Sequence, residues 1–388
     1  MKILSVVGTR PNFIKVLPIC NAIQNYNIRN TERIDHIIVH TGQHYDKMMS
    51  EVFFKELELQ EPEYNLGIGS GSHAFQTGNT MIELEKVFIV ENPDWIIVYG
   101  DVNATLAAAI TARKLGIKCC HVESGLRSDD LTMPEEINRV LVDRISDLLL
   151  IPDLESLKNL EKEGICGSKV VHVGNIMIDS LLMNLEKARL LDLMSIVGLK
   201  VNCSNDAEGA LSKISEPIML VTLHRPANVD DLETLSSVVR LLVSDFDFEG
   251  SIIWPVHPRT RKNLSDFGLL SLLEASKRIV LIKPVSYLEM LCLTDKAAVV
   301  ITDSGGLQVE ASYLGKPTLV FRTTTEWKSV LVENGGNATL VNSDITLLKS
   351  SLRTIKELGS PSHATQRTPV FWEGETAARC VEAIIRFA

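Results

Sequence analysis

Short runs of aliphatic residues recur along this chain at 3–7, 36–41, 95–99, 117–122, 147–151, 169–173, 218–223, 250–256, 279–282, 297–302 and 317–321. They are rich in Val and Ile and mostly apolar at successive positions, as strands of a parallel sheet covered on both faces must be. Between them lie stretches with helical spacing, such as 103–115, 153–163, 231–244 and 305–314. Alternation of this kind, sustained from end to end, predicts an α/β chain with helices on both faces of parallel sheets.

At 388 residues the chain is too long for one ordinary core. The alternation breaks once. After a helical pattern at 175–190, the stretch 198–216 is polar and turn-rich, and strand spacing resumes at Pro217-Ile218. We read 198–216 as a link between two domains. The expected division is 1–175, with a C-terminal helix at 372–388 packing back on it, and 176–371. Two Rossmann-like, doubly wound parallel-sheet domains facing a central cleft make a GT-B type fold. Ligands of open α/β sheets sit beyond the carboxyl ends of the strands.

The formal net charge of −10 argues against nucleic acid or an anionic membrane as partner. No apolar run approaches the ~20 residues of a membrane helix. The seven cysteines form no CxxC pair and no zinc spacing, so no metal is expected. Reduced thiols of this kind point to the cytoplasm.

Chemistry-bearing residues gather where strands end. Gly8-Thr9-Arg10-Pro11 follows the first strand, and Arg10 and Lys15 then stand near a helix N-terminus that favours an anion. The dinucleotide fingerprint GxGxxG is absent there. Asp303-Ser304-Gly305-Gly306 follows another strand and opens a helix; backbone N–H groups of Ser304, Gly305 and Gly306 are expected to cradle a diphosphate, with Glu310 receiving ribose hydroxyls. Asp101, Glu123 and Glu135 cluster at one sheet edge, where mutual repulsion would raise some pKa values toward general acid or base work. His224 and His257 follow successive strands, beside Arg225 and Arg259, and suit proton transfer and phosphate binding. Each single residue also has an ordinary reading as a cap or a solvated charge. No GxSxG elbow, P-loop or HExxH is present.

The segments GTRPNFIK, TGQHYDKMM, GDVNATLA, HVESGLRS, MPEEINR, HVGNIMIDSL, LVTLHRP, PVHPRTRK, TDSGGLQVEAS and LGKPTLVFRTTTE run through nearly the whole chain. In these the chain resembles the non-hydrolysing UDP-N-acetylglucosamine 2-epimerases. The resemblance implies a homodimer and a cofactor-free interconversion of UDP-GlcNAc and UDP-ManNAc, by loss of the C2 proton and expulsion of UDP to 2-acetamidoglucal, then re-addition. It implies Asp101, Glu123, Glu135 and His224 as the catalytic group, and Arg10, Lys15, Arg139, His257, Ser304, Gly305, Gly306 and Glu310 as the UDP-sugar shell. Gln43 and His44 would belong to a regulatory site. Three departures stand out: Pro226-Ala227-Asn228 lacks a carboxylate, Trp327-Lys328 replaces Arg-Pro, and Gly67–Gln76 lacks an Arg. The Trp327 variation keeps a related UDP-sugar, such as UDP-2,3-diacetamido-2,3-dideoxyglucuronate, open as the substrate. A GT-B glycosyltransferase is the alternative from another class of reaction.

Overall fold

The computed structural model describes residues 1–42, 56–201, 207–244, 248–358 and 368–388. The chain divides into two compact units, Met1–Met183 with Pro369–Ala388, and Asn184–Thr368.

The first unit is built on seven strands: β1 (Lys2–Val7), β2 (Asp35–His40), β3 (Tyr64–Asn65), β4 (Trp95–Tyr99), β5 (Lys118–Val122), β6 (Leu148–Ile151) and β7 (Val170–His172). All pair in parallel, in the order β3-β2-β1-β4-β5-β6-β7. The second is built on β8 (Ile218–Thr222), β9 (Ser251–Pro255), β10 (Ile279–Ile282), β11 (Val299–Thr302), β12 (Thr318–Val320) and β13 (Ala338–Leu340). Their order, β10-β9-β8-β11-β12-β13, repeats the same doubly wound plan. Each sheet is Rossmann-like.

Order reverses between β1 and β4 in one unit and between β8 and β11 in the other, and the connections leave in opposite directions at these points. Register then sets what meets there. Val6 of β1 pairs with Val98 of β4, and Tyr99 with Val122 of β5, so Gly8, Gly100 and Glu123 emerge level with one another. Thr222 pairs with Thr302, and their buried hydroxyls are 2.7 Å apart, so His224 and Asp303 emerge side by side.

The apolar runs behave as parallel-sheet strands should. Val98, Ile96, Val6 and Leu4 pack with Leu84 and Ala108 on one face of the first sheet. Small side chains let the helix Asn103–Leu115 lie close: Ala104, Ala107, Ala108, Ala109 and Ala112 are all buried. Two strands escaped the sequence pattern. Tyr64–Asn65 and Ala338–Leu340, two and three residues long, lie in none of those runs.

The stretch 198–216 is not a bare link. Helices Leu193–Lys200 and Ala207–Ser212 occupy much of it, and Val197 is fully buried in the second unit's core, against Ile218, Leu220, Val201 and Leu211. The polar residues at 202–206, between the two helices, hid this. The division between units falls earlier, inside the helix Ile176–Arg189. The first turns of that helix belong to the first unit: Asp179 accepts from the N–H groups of Thr376 (3.2 Å) and Ala377 (2.8 Å), and the Ser180 hydroxyl donates to the Ile14 carbonyl.

The chain thus returns to the first unit at its end. Helix Thr376–Phe387 packs on the helix Arg10–Arg29, burying Cys380, Val381 and Ile384, and Trp372 donates to the Pro152 carbonyl at 2.8 Å. Among the described residues no helix is long and apolar enough to cross a membrane. Asp179→Ala leaves two buried N–H groups without acceptors and should cost about 2 kcal/mol. Amide exchange should quicken across Thr376–Phe387 and stay unchanged in β8 to β13; protection unchanged at the C-terminal helix would show that Asp179 does not hold it.

Candidate functional site

In the first unit the site is built on three strand ends. After β1, the Asn12 side chain accepts from the N–H groups of Gly8 and Thr9, both at 3.0 Å, and donates to the Tyr99 carbonyl at 3.1 Å. This fixes the turn and starts the helix that carries Lys15. Lys15 does not stand free for a phosphate. Its Nζ lies 2.5 Å from Glu123 Oε2, with both side chains buried.

That ion pair dictates its neighbours. A Cβ at Gly100 would come within 2.8 Å of Lys15 Nζ, and its φ of +61° is one that glycine adopts without strain. Glu123 itself has φ +74°, a conformation that costs a non-glycine residue of order 1–3 kcal/mol and is held only where surroundings over-determine it. Burial, more than repulsion among carboxylates, pushes the Glu123 pKa up; Lys15 opposes the shift and Asp101 adds to it. The repulsion expected among these carboxylates is present through Asp101, with burial the larger cause.

Asp101 is the more open carboxylate, its side chain 30% exposed. Asn138 donates to its carbonyl at 2.7 Å, and Arg139 Nε lies 3.4 Å from its Oδ2. Arg139 is itself buried and donates to Glu136 at 2.9 Å. The adjacent glutamates of the helix Pro134–Ile145 divide their work. Glu136 is buried and accepts from the N–H groups of Ser128 (3.1 Å) and Asp129 (3.0 Å), clamping the loop after β5. Glu135 is partly exposed on the helix's first turn. Sequence spacing could not separate the two.

In the second unit the turn at 303–306 divides likewise. Asp303 is wholly buried and faces backward. It accepts from the N–H groups of His224 (2.9 Å) and Arg225 (2.8 Å) and from the Asn228 amide (3.0 Å), and its Oδ1 lies 2.7 Å from His224 Nδ1. Burial works against its charge, yet hydrogen bonds from His224 and these N–H groups hold its pKa below the usual range. Its carboxylate therefore builds the site and does not cradle a ligand. The carboxylate accepts the Nδ1 hydrogen, so Nε2 is the nitrogen left for chemistry on a side chain 44% exposed.

Ser304, Gly305 and Gly306 are the partly exposed residues of a segment otherwise buried from Val299 to Ser312. Ser304 caps the helix Gly305–Tyr313 by accepting from Leu307 N–H at 3.4 Å. A Cβ at Gly305 would lie 2.5 Å from Glu326 Oε1. Glu326 pairs with Arg322 at 2.7 Å, both buried. Sequence reading missed this pair, together with Asn12, Asn138 and Tyr287. Each is a scaffold residue whose partner lies far along the chain or inside a core. Trp327 is buried, with its Nε1 3.8 Å from the same Gly305 Cβ position.

Glu310 is buried one turn into that helix and accepts from the Tyr287 hydroxyl at 3.1 Å. His257 caps the helix Pro258–Asp266, its Nδ1 accepting from Arg259 N–H at 3.2 Å, and its ring centre lies 5.9 Å from that of His224. Arg259 is engaged with Asp230. Gln43 and His44 lie outside the described residues, as does the side chain of Arg10. Among the described residues no group of three or more His, Cys, Asp or Glu could hold a metal ion.

A family model described as UDP-N-acetylglucosamine 2-epimerase matches residues 26–385. A UDP-N-acetylglucosamine 2-epimerase of Methanocaldococcus jannaschii is 42% identical over 354 residues, 90% of this chain and 91% of that protein. A UDP-2,3-diacetamido-2,3-dideoxy-D-glucuronate 2-epimerase of Pseudomonas aeruginosa is 40% identical over 356 residues, 91% and 92% of the two chains. The crystal structure of the M. jannaschii UDP-GlcNAc 2-epimerase in complex with UDP-GlcNAc and UDP superposes with a TM-score of 0.85, at 39% identity and full coverage of both chains.

Burial raises the Glu310 pKa from 4.5 to about 7. A proton held in the folded state and released by the unfolded chain stabilises fully below about pH 4.5, and that stability is lost as pH rises through 7. Glu310→Gln should therefore raise Tm relative to the parent at pH 8, and the gap should shrink toward pH 5. A gap independent of pH would contradict the buried, proton-holding carboxyl.

Proposed function

The chain belongs to the UDP-N-acetylglucosamine 2-epimerase family, and on that premise we propose that it interconverts UDP-GlcNAc and UDP-ManNAc without a cofactor and without releasing free sugar. The observation that carries the reading is the group of carboxylates at the ends of β4 and β5 and on the helix Pro134–Ile145, in a chain whose other unit opens a helix N-terminus at Ser304 to Gly306.

Epimerisation at C2 needs a base to take the C2 proton, an acid to return one from the other face, and a site that stabilises departing UDP. Asp101 and Glu135 are the carboxylates open enough to exchange that proton; Glu123, held by Lys15, fixes the field around them. As the C2–H bond breaks, its electrons form the C1–C2 double bond of 2-acetamidoglucal, and the C1–O bond to the β-phosphate breaks with its pair leaving on UDP. His224 Nε2 and the N–H groups of Ser304, Gly305 and Gly306 receive the developing phosphate charge, with Arg10, Arg139 and His257 in the ligand shell. Glu310 accepts the ribose hydroxyls. Reversal of the step, with the proton delivered to the opposite face, gives the epimer.

A homodimer is the proposed working form. On the helix His73–Glu91, Phe75, Ile82 and Ile89 are exposed at seven-residue spacing, an apolar stripe of the sort that associates. A second reading, epimerisation of UDP-2,3-diacetamido-2,3-dideoxyglucuronate, draws on the Pseudomonas relative and on Trp327-Lys328.

The test is incubation of the purified protein with UDP-GlcNAc alone, products separated by anion exchange. UDP-ManNAc should accumulate without an acceptor, and Asp101→Asn should lower kcat at least about 100-fold while UDP affinity stays within about tenfold. Turnover only with an added acceptor would make the protein a transferase. Conversion of the diacetamidoglucuronate but not of UDP-GlcNAc would select the second reading.

A further inference from the structure

Behind the carboxylates of the first unit lies a histidine–aspartate pair that the proposed reaction does not use. His121 and Asp143 are both 0% exposed. His121 stands on β5, two residues before Glu123, and Asp143 on the helix Pro134–Ile145.

Hydrogen accounting sets what each end of the pair holds. His121 Nε2 is 2.8 Å from the Gly100 carbonyl oxygen, which can only accept, so Nε2 carries a hydrogen. His121 Nδ1 is 2.6 Å from Asp143 Oδ1. The other oxygen, Oδ2, accepts from Gly125 N–H at 3.0 Å and from Arg127 at 2.8 Å. A carboxylate receiving those donors is ionised, and although burial opposes this, the charges of His121 and Arg127 hold its pKa below the usual range. The ring thus bridges the Gly100 carbonyl and the Asp143 carboxylate. Arg127 sits between two carboxylates, Asp143 and Glu163, and donates to the latter at 2.6 and 2.8 Å.

The ends of this network are its point. Gly100 immediately precedes Asp101. Gly125 lies two residues beyond Glu123. One ring and one carboxylate thus hold the backbone of both turns that carry these carboxylates. Each turn needs holding: Gly100 has φ +61° against Lys15, and Glu123 has φ +74°.

We propose that His121 and Asp143 are positioning residues for the epimerisation, fixing Asp101 through the Gly100 carbonyl and Glu123 through the Gly125 N–H. Neither touches substrate. The inference rests on the reaction proposed above, so wild-type turnover is the control that separates failure of that reading from failure of this one.

The experiment compares Asp143→Ala, His121→Ala and Asp143→Asn, with kcat expressed per UDP-binding site counted by calorimetry, so that unfolded protein drops out. Asparagine can donate to a neutral His121 Nδ1 and accept from Gly125, keeping both tethers without the charge. The alanine variants should lose at least about thirtyfold in kcat, with KM and UDP Kd within about threefold, and Asp143→Asn should recover at least tenfold over Asp143→Ala. Unchanged kcat in a folded alanine variant, or loss of UDP affinity in parallel with kcat, would overturn the proposal. If neither alanine variant folds, Asp143→Asn decides it. Protection of the Gly125 amide from exchange together with a kcat within about threefold of wild type is expected; kcat lost while that amide stays protected would overturn it.

Discussion

The buried ion pair between Lys15 and Glu123 is the interaction on which the first unit's site depends. Lys15 rises from the helix after β1 and Glu123 ends β5, so the pair crosses the point where strand order reverses. A Cβ at Gly100 would press on Lys15 Nζ, and Glu123 sits in a left-handed conformation beside it. Loss of either partner would strand a buried charge, at a cost of order 3–5 kcal/mol. The same pair keeps the Glu123 carboxylate buried, while Asp101 is partly open and tied through its carbonyl to Asn138.

The second unit solves a parallel problem with related means. Asp303, like Asp143, is a fully buried carboxylate bonded to backbone N–H groups and to a histidine Nδ1. What differs is the other face of the ring. His121 has both nitrogens engaged inside the sheet, whereas the His224 side chain is 44% exposed. One aspartate–histidine pair stabilises a scaffold and the other presents a nitrogen for use. Buried aspartates here organise turns, and the turns leave Asp101, Glu135, His224, Ser304, Gly305 and Gly306 at least partly exposed.

Much of this could be read from the residues. Buried parallel strands announce themselves as continuous Val and Ile runs, and Asp101, Glu123, His224, His257 and Ser304 sit one or two positions after those runs. The short strands Tyr64–Asn65 and Ala338–Leu340 lie in no such run and were not legible. Nor were partnerships set by tertiary packing. Lys15 looked like a cation beside a helix N-terminus and is instead the counter-ion of Glu123. Asp303 looked like part of a phosphate turn and is instead the support of His224. Glu135 and Glu136 are adjacent, and which one points inward depends on the helix's rotation against the β5 loop. The stretch 198–216 read as a linker because polar residues at 202–206 stand between its two short helices.

The central claim is that the carboxylates of the first unit exchange the C2 proton of a UDP-sugar while UDP is retained. Mass spectrometry of UDP-GlcNAc and UDP-ManNAc recovered from incubation in D2O tests it most directly. The account predicts one deuterium, located at C2, in both recovered nucleotide sugars, with no accumulation of free N-acetylmannosamine. Epimer formed without deuterium at C2, or free sugar released in step with UDP, would contradict it.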